Sequence, residues 1–232
     1  MADLTFRCQD EEQMDAPDLA PGVYAEVLRD LAKVNRWTFT ARPALAYLCR
    51  ALPPELARLT LLDVGFGDGD VLRTIARWAR RRGVAAILAG VDLNERSAAA
   101  ARSATPACLN IDFRTGDYND QPDEFDFIIS SQVAHHMSDI QLQDFLCFME
   151  RRARRGWLII DLHRHRFAHL GYPLLARLLG VHRIVREDGQ LSIARSFRPA
   201  EWNEVLRAAG MPMSEITVRW RFPFRLSIER LR

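Results

Sequence analysis

The sequence predicts an α/β fold: a doubly wound, mostly parallel, seven-stranded sheet with N-terminal helices and one long insertion. Three observations support this prediction. A buried strand runs into a glycine-rich turn and a helix at residues 59–82, strands and helices then alternate through residue 162, and residues 216–228 alternate apolar and polar side chains. With 232 residues, 48% of them hydrophobic, the chain is long enough for a single α/β domain with a full core.

The first 56 residues are expected to form a helical cap. Residues 1–18 are acidic, lack an apolar signal core and are expected to be a flexible lead. Apolar residues at helical spacing predict one helix from Pro21 and a second that ends at Pro53-Pro54. No run of 18 apolar residues occurs anywhere in the sequence, so no membrane span is expected.

Residues 57–162 are expected to form a cofactor-binding core. Its central motif is the segment LLDVGFGDGD of residues 61–70. Glycines at alternate positions let the backbone turn sharply and leave bare amides at the start of the next helix. Apolar residues at helical spacing follow, so this helix can pack on the sheet. Strand, glycine turn and helix together predict a loop that binds a nucleotide cofactor.

The rest of the core continues the strand–helix alternation. The predicted elements are strand 86–93, a helix through Ala104, strand 109–115, strand 125–131 entered after Gln121-Pro122-Asp123, and strand 157–162. Ser138 and Gln141 have the spacing of a capping box, which predicts a helix start there.

The last 70 residues divide into two parts. Residues 163–198 are too long for a simple loop and contain a helical apolar pattern from Phe167 to Leu179, which predicts a lid or substrate-recognition insertion. Residues 199–232 predict a terminal helix that Gly210 ends, followed by two strands that Pro223 separates.

The acidic residues around the glycine loop narrow the choice of cofactor. Asp92 ends the second strand, where a carboxylate can accept hydrogen bonds from both ribose hydroxyls of an adenosine. A nicotinamide fingerprint requires glycine at position 70, and this chain has Asp70 there. Asp68 and Asp70 disfavour a pyrophosphate but suit a ligand with an ammonium and a sulfonium group.

Four motifs resemble those of class I S-adenosylmethionine-dependent methyltransferases of the small-molecule type, which include ubiquinone and menaquinone methylases. They are LLDVGFGDGD, GVDLN, TGDYND and FDFIISSQVAHHM, and they occur in the family's order and at its spacing over about residues 59–163. The resemblance implies the Rossmann-like methyltransferase fold, S-adenosylmethionine as cofactor and a small-molecule methyl acceptor.

The resemblance also implies which residues hold the cofactor. The amino acid part would lie on Asp63 and on Gly65, Phe66, Gly67 and Gly69; the ribose on Asp92; the adenine beside Leu93, Asp117 and Tyr118; and the sulfonium near Ser131 and Gln132. Phe66 departs from the family pattern, because a small residue is common between the first two glycines.

Methyl transfer needs in-line approach of a nucleophile, and a base when that nucleophile carries a proton. His136, after the fourth strand, and His163, after the fifth, are the candidate catalytic bases, with packing as the alternative interpretation of both. No metal site is expected, since Asp161, His163 and His165 lack the acidic cluster of the metal-dependent catechol type. The tetrapeptide typical of DNA adenine methylation is absent, because Ser131-Gln132-Val133-Ala134 stands in its place.

Composition excludes further classes of protein. The chain has 32 basic and 30 acidic residues, a balance that argues against a protein whose whole surface attracts nucleic acid and leaves a local basic patch as an open alternative. Its four cysteines are scattered and are expected to be reduced thiols in a cytoplasmic protein, monomeric or homodimeric.

The predicted function is therefore methyl transfer to oxygen or carbon of a small, aromatic, quinol or polyketide-like metabolite. Two alternatives stay open: a non-catalytic binding or assembly subunit that keeps the fold, and a nicotinamide-dependent oxidoreductase.

Overall fold

The computed structural model describes residues 3–53, 57–121 and 124–232 and is built on one seven-stranded sheet. The strands are β1 (Arg58–Val64), β2 (Ala85–Asp92), β3 (Ile111–Thr115), β4 (Phe125–Ser131), β5 (Ala153–Leu162), β6 (Ile216–Arg221) and β7 (Arg225–Leu231). The helices are α1 (Pro21–Trp37), α2 (Arg42–Ala51), α3 (Asp70–Arg81), α4 (Glu95–Ala104), α5 (Asp139–Arg152), α6 (Arg166–Leu178), α7 (Arg183–Arg195) and α8 (Pro199–Ala208).

The strand order is β3-β2-β1-β4-β5-β7-β6. The first five strands are parallel, whereas β7 pairs antiparallel with both β5 and β6. The order reverses between β1 and β4, so their carboxyl ends flank a crevice of the kind in which doubly wound sheets bind ligands.

Two apolar layers cover the faces of the sheet. On one face α2, α3 and α4 bury residues such as Tyr47, Ile75 and Ala101. On the other, α5 and α8 bury residues such as Phe145 and Trp202. The capping box predicted at Ser138 and Gln141 is confirmed, and it starts α5 at the edge of the crevice.

A third apolar cluster joins α1 to α6 and α7 outside the sheet layers. Val27 and Val34 of α1 pack with Ala176 of α6 and Ile184 of α7. The two helices of the predicted insertion, α6 and α7, therefore pack against α1 of the N-terminal cap and cover the carboxyl ends of the strands.

The predicted fold class is confirmed, with differences in detail, among them the start of β5 at Ala153 instead of residue 157. The insertion contains a second helix, α7, which sequence analysis did not identify, and β3 starts at Ile111 because residues 107–109 form a 3₁₀ turn. The predicted cap boundary at residue 56 and the turn at Pro122-Asp123 lie outside the described residues. In the described part of the chain, no helix is both long and apolar enough to cross a bilayer.

Candidate cofactor and acceptor site

A cavity of about 530 Å³ opens at the carboxyl ends of β1, β2 and β4 and continues beneath α6 and α7. Ten residues predicted from sequence line it: Asp63, Gly65, Phe66, Gly67, Asp92, Leu93, Tyr118, Ser131, Gln132 and His136. Gly69, Asp117 and His163 are not among the described lining residues.

The glycine loop turns through three left-handed residues, with φ of 75° at Gly65, 53° at Gly67 and 77° at Gly69. Only glycine fits the first and third positions, since an added Cβ would come within 2.3 Å of Val133 and 2.7 Å of Phe113, respectively. At Gly67 the nearest atom to such a Cβ is 3.9 Å away. The middle of the loop therefore leaves open space for a ligand on its cavity side.

Asp63 ends β1 on the floor of the cavity, and both of its carboxylate oxygens are buried without a hydrogen-bond partner among the described residues. Burial, followed by the charges of Asp70 and Asp92, raises the pKa of this carboxyl well above its usual range. A buried carboxylate that has no hydrogen-bond partner and lies near Asp70 and Asp92 favours a cationic ligand. The site therefore fits a group that carries an ammonium.

Asp92 ends β2 and faces the glycine loop. One carboxylate oxygen accepts a hydrogen bond from the Gly67 amide at 2.9 Å, and the other accepts one from the Asn94 amide at 2.9 Å. Each oxygen has a second acceptor position, so the carboxylate can still receive two hydroxyl groups. Leu93 beside it is 72% exposed and forms an apolar rim.

The Phe66 side chain packs beneath the glycine loop, although Phe66 is among the residues that line the cavity. Its ring is buried against Phe113, with the ring centroids 4.9 Å apart. Gly90 of β2 makes room for it, because a Cβ at residue 90 would lie 2.6 Å from the ring. The departure from the family pattern is thus compensated in the neighbouring strand.

The adenine and sulfonium residues predicted from sequence lie at the ends of β3 and β4. The Tyr118 ring packs on Phe145 and Phe148 at the cavity wall, whereas Asp117 accepts a hydrogen bond from the Asn119 amide at 2.8 Å and caps a short turn. Gln132 has a φ of 60°, which directs its amide to donate to Asn35 Oδ1 at 2.9 Å.

His135 is held between two carboxylates. Asp161, at the end of β5, lies 2.7 Å from Nδ1 and also accepts the His135 backbone amide at 2.8 Å, while Glu12 lies 3.5 Å from Nε2. Burial disfavours the imidazolium, but the charge and hydrogen bond of Asp161, together with Glu12, outweigh it and raise the pKa of His135 to about 10. His135 is therefore a fixed cation and not a proton acceptor at neutral pH.

The neighbouring His136 is open to the cavity. Its Nδ1 lies 3.2 Å from a carboxylate oxygen of Asp15, which fixes the ring, and Nε2 lies 3.8 Å from Glu12. His163, the other candidate base, lies beside His165 with the two rings tilted by 49°, forms a backbone β-bridge with Phe197 and is not among the described residues that line the cavity. Of the two candidates, only His136 has access to a ligand in this cavity.

The N-terminal segment before α1 forms a part of the site that the sequence did not predict. Glu12 is 4% exposed and accepts a hydrogen bond from the Ser192 hydroxyl at 2.7 Å, and the Met14 amide donates to Asp188 at 2.9 Å. These contacts tie the segment to α7. A polar stretch without periodicity gives no sequence signal of such a position.

The far half of the cavity is largely apolar. Its lining includes Leu28, Leu31, Phe167, Ala168, Tyr172, Leu175, Ile193, Pro223 and Phe224. Arg225 also lines it, at the start of β7. Tyr172 fixes the spacing of the two covering helices, because its hydroxyl donates to the Val185 carbonyl at 2.7 Å and its ring fills the place of a Gly189 side chain.

Comparison with protein families gives one match: residues 61–156 fit a family described as a methyltransferase domain. This stretch contains the glycine loop, Asp92, Tyr118 and His136. No curated protein sequence matches the chain.

Several solved structures are similar over most of the chain. Magnesium protoporphyrin IX methyltransferase from Synechocystis PCC 6803 with bound SAH has a TM-score of 0.57 and 16% identity, over 95% of this chain and 91% of that one. A SAM-dependent methyltransferase from Aquifex aeolicus has a TM-score of 0.60 and 17% identity, over 92% and 99%. Human N-acetylserotonin methyltransferase in complex with SAM has a TM-score of 0.63 and 16% identity, over 92% and 56%. At these identities the likeness shows the fold.

Proposed function

We propose that this chain, in which residues 61–156 match a methyltransferase domain, is a class I S-adenosylmethionine-dependent enzyme that transfers a methyl group to oxygen or carbon of a small aromatic, quinol or polyketide-like metabolite. One observation carries the proposal. A single cavity joins the glycine loop and the orphaned Asp63 to an apolar, aromatic-lined compartment beneath α6 and α7. Cofactor and acceptor would meet in that one space.

The cofactor half fits S-adenosylmethionine in charge and shape. We assign the ammonium to Asp63, the ribose hydroxyls to Asp92 and the amino acid backbone to Gly65, Gly67 and Gly69. Leu93, Tyr118 and Asp117 would border the adenine, with Phe66 supporting the loop from below. Ser131 and Gln132 would lie near the sulfonium, and the buried Ser131 hydroxyl has no hydrogen-bond partner among the described residues. The bound cofactor supplies an electrophilic methyl group.

The acceptor half supplies orientation and water exclusion, which account for much of the rate of a methyl transfer. Phe167, Tyr172 and Phe224 offer faces against which a planar acceptor can stack. We infer that residues 163–198, with α6 and α7, act as a lid over this half. Among the similar structures, human N-acetylserotonin methyltransferase is named for a small acceptor, and magnesium protoporphyrin IX methyltransferase for a larger one.

An acceptor that carries a proton needs a base, and we assign this role to His136. Its ring lines the cavity, and Asp15 holds Nδ1, which leaves Nε2 to receive a proton. His163, the other candidate, has no comparable access to the cavity. We further propose a cytoplasmic monomer or homodimer without a nucleic-acid partner.

Calorimetry on the purified protein tests the cofactor half directly. We expect micromolar binding of S-adenosylmethionine and S-adenosylhomocysteine and no binding of NAD. Screening phenols and quinols for release of S-adenosylhomocysteine then tests the acceptor class. Preferential binding of NAD would overturn the proposal, and turnover only with non-aromatic amines would overturn the acceptor class.

A further inference from the structure

Arg225 is a buried cation in the wall of the cavity. It starts β7, is 3% exposed and pairs with Leu162 at the carboxyl end of β5. Nothing in the proposed methyl-transfer mechanism uses it.

Arg225 differs from the other buried arginines of the described chain. Each of the others has a carboxylate partner: Arg73 pairs with Asp68, Arg164 with Glu201, and Arg230 with Glu150 and Glu215. Within residues 3–53, 57–121 and 124–232, no carboxylate lies within ion-pair distance of Arg225. It therefore has no ion-pair partner: burial lowers the pKa of Arg225, and Asp161 and Asp70 oppose this only from beyond ion-pair distance.

The contacts that Arg225 does make are all with neutral acceptors. Its guanidinium donates to the Thr38 carbonyl at 3.2 Å, to the Thr38 hydroxyl at 2.9 Å and to the Thr40 hydroxyl at 2.6 Å, with Gln132 Oε1 at 3.4 Å. Nε is buried and has no hydrogen-bond partner among the described residues. These bonds hold the side chain in place, but no carboxylate pairs with it and its Nε donor has no partner among the described residues.

An unpaired buried charge is unfavourable, and it is tolerated where a ligand of opposite charge completes it. A guanidinium with an unused N–H matches an anionic oxygen, to which it forms charge-assisted hydrogen bonds. We propose that Arg225 binds an anionic oxygen of the methyl acceptor, either a carboxylate or an ionised hydroxyl. This inference rests on the proposed function, whose acceptor class it narrows.

The position of Arg225 favours the acceptor over the cofactor as the source of that oxygen. β7 lies beyond β5 in the sheet, two strands from β4 and three from β1 and its glycine loop. Its cavity neighbours Pro223, Phe224 and Leu162 line the cavity away from the glycine loop, and its contact Gln132 lies beside the position proposed for the sulfonium, which the acceptor must approach. An aromatic acid or phenol lying under the lid would thus have its charged group directed at β7.

Two probes of equal shape and different charge test this proposal. Calorimetry with 2-naphthoate and 2-naphthamide is carried out on the protein saturated with S-adenosylhomocysteine and again without it. We expect naphthoate to bind about tenfold or more tightly than naphthamide, the factor for one charge-assisted hydrogen bond. Arg225→Gln should abolish this preference, Arg225→Lys should keep part of it, and Arg151→Gln, which changes an exposed arginine of α5 outside the cavity lining, should leave it intact.

Equal binding of the two probes by the wild type, or binding of neither, would overturn the proposal without affecting the cofactor assignment. A fall in S-adenosylhomocysteine affinity in Arg225→Gln would also overturn it and would place the cofactor's carboxylate at Arg225. The wild-type comparison needs no variant, so it decides the question even if Arg225→Gln does not fold. Failure of the proposed function is seen separately, as absence of S-adenosylhomocysteine binding by the wild type.

Discussion

Glu12 places a carboxylate oxygen 3.5 Å from Nε2 of His135, on the opposite side of the ring from Asp161. Through this contact the N-terminal segment, β4 and β5 meet in one buried charge cluster. The Ser192 hydroxyl, which donates to Glu12, adds α7. The cluster therefore links the segment before α1 and the covering helix α7 to the carboxyl edge of the sheet.

Replacing Glu12 by Gln should destabilise the protein by about 3–5 kcal/mol, because it leaves the buried His135 imidazolium with one carboxylate. Chemical denaturation at neutral pH measures this change. The control is Asp15→Asn, which removes a half-exposed carboxylate next to His136 and should cost at most about 1 kcal/mol. Equal costs for the two variants would contradict the role of the buried cluster.

The same cluster predicts a pH profile. The pKa of His135 is raised from 6.5 to about 10, so its contribution to stability is fully present below pH 6.5 and is lost as the pH rises through about 10. Burial opposes ionisation of Glu12, but His135 and His136 lower its pKa from 4.5 to about 2, so its contribution is present above pH 4.5 and is lost as the pH falls through about 2. The contribution of this cluster to the unfolding free energy should therefore be largest between pH 4.5 and 6.5, and Glu12→Gln should reduce its loss at acid pH.

The fold was predictable because local patterns and the sheet agree. The alternation of strands and helices, the glycine turn and the capping box at Ser138 each have a short-range signal. The predicted cofactor residues Asp63 and Asp92 follow the same logic, since both lie at the carboxyl ends of their strands. The loop departure at Phe66 was visible in the sequence, but its compensation by Gly90 depends on which strands are neighbours.

The acceptor half was not predictable, because its residues come together only through the order of the strands in the sheet. Glu12 and Asp161 come from distant parts of the chain and meet only on His135, and Arg225 reaches the cavity wall only because the sheet order places β7 beside β5. In the sequence Asp161 lies two residues from His163, whereas in the fold its carboxylate contacts the His135 ring. Pairing across elements is set by tertiary packing, which a one-dimensional pattern does not encode.

Asp63→Asn should have opposite effects on the stability of the ligand-free protein and on its affinity for S-adenosylmethionine. Burial and the neighbouring Asp70 and Asp92 raise the pKa of Asp63, so its ionisation destabilises the ligand-free protein increasingly as the pH rises from 3.8 through that raised pKa. Removing the charge should stabilise the ligand-free protein by about 1 kcal/mol at neutral pH. It should also weaken S-adenosylmethionine binding by about tenfold or more.

Thermal unfolding and calorimetry on the same samples measure both effects of Asp63→Asn. Asp112→Asn, which removes an exposed carboxylate of β3, serves as the control and should change neither quantity appreciably. Unchanged cofactor affinity in Asp63→Asn would contradict the assignment of the ammonium to this residue.

Gly90→Ala should disturb the glycine loop from beneath. The added methyl would lie 2.6 Å from the Phe66 ring and 2.9 Å from Leu72, so the ring must move, at a cost of about 1–3 kcal/mol. Because Phe66 lies between Gly65 and Gly67, cofactor affinity should fall as well. A double-mutant cycle with Phe66→Leu should recover part of the loss, whereas Gly22→Ala, in open space on α1, should change stability by at most about 0.5 kcal/mol.

His136→Gln should lower kcat with a hydroxyl acceptor by about 10²- to 10⁴-fold, because we propose Nε2 of His136, whose ring lines the cavity, as the proton acceptor. Cofactor affinity should not change, since the ring lies beyond the glycine loop. His163→Gln is the matched control, because it removes an imidazole of the same type that does not line the described cavity. Single-turnover rates with both variants separate proton transfer from product release. If the large loss falls on His163→Gln instead, the base is His163, and the lid must bring it to the acceptor during the reaction.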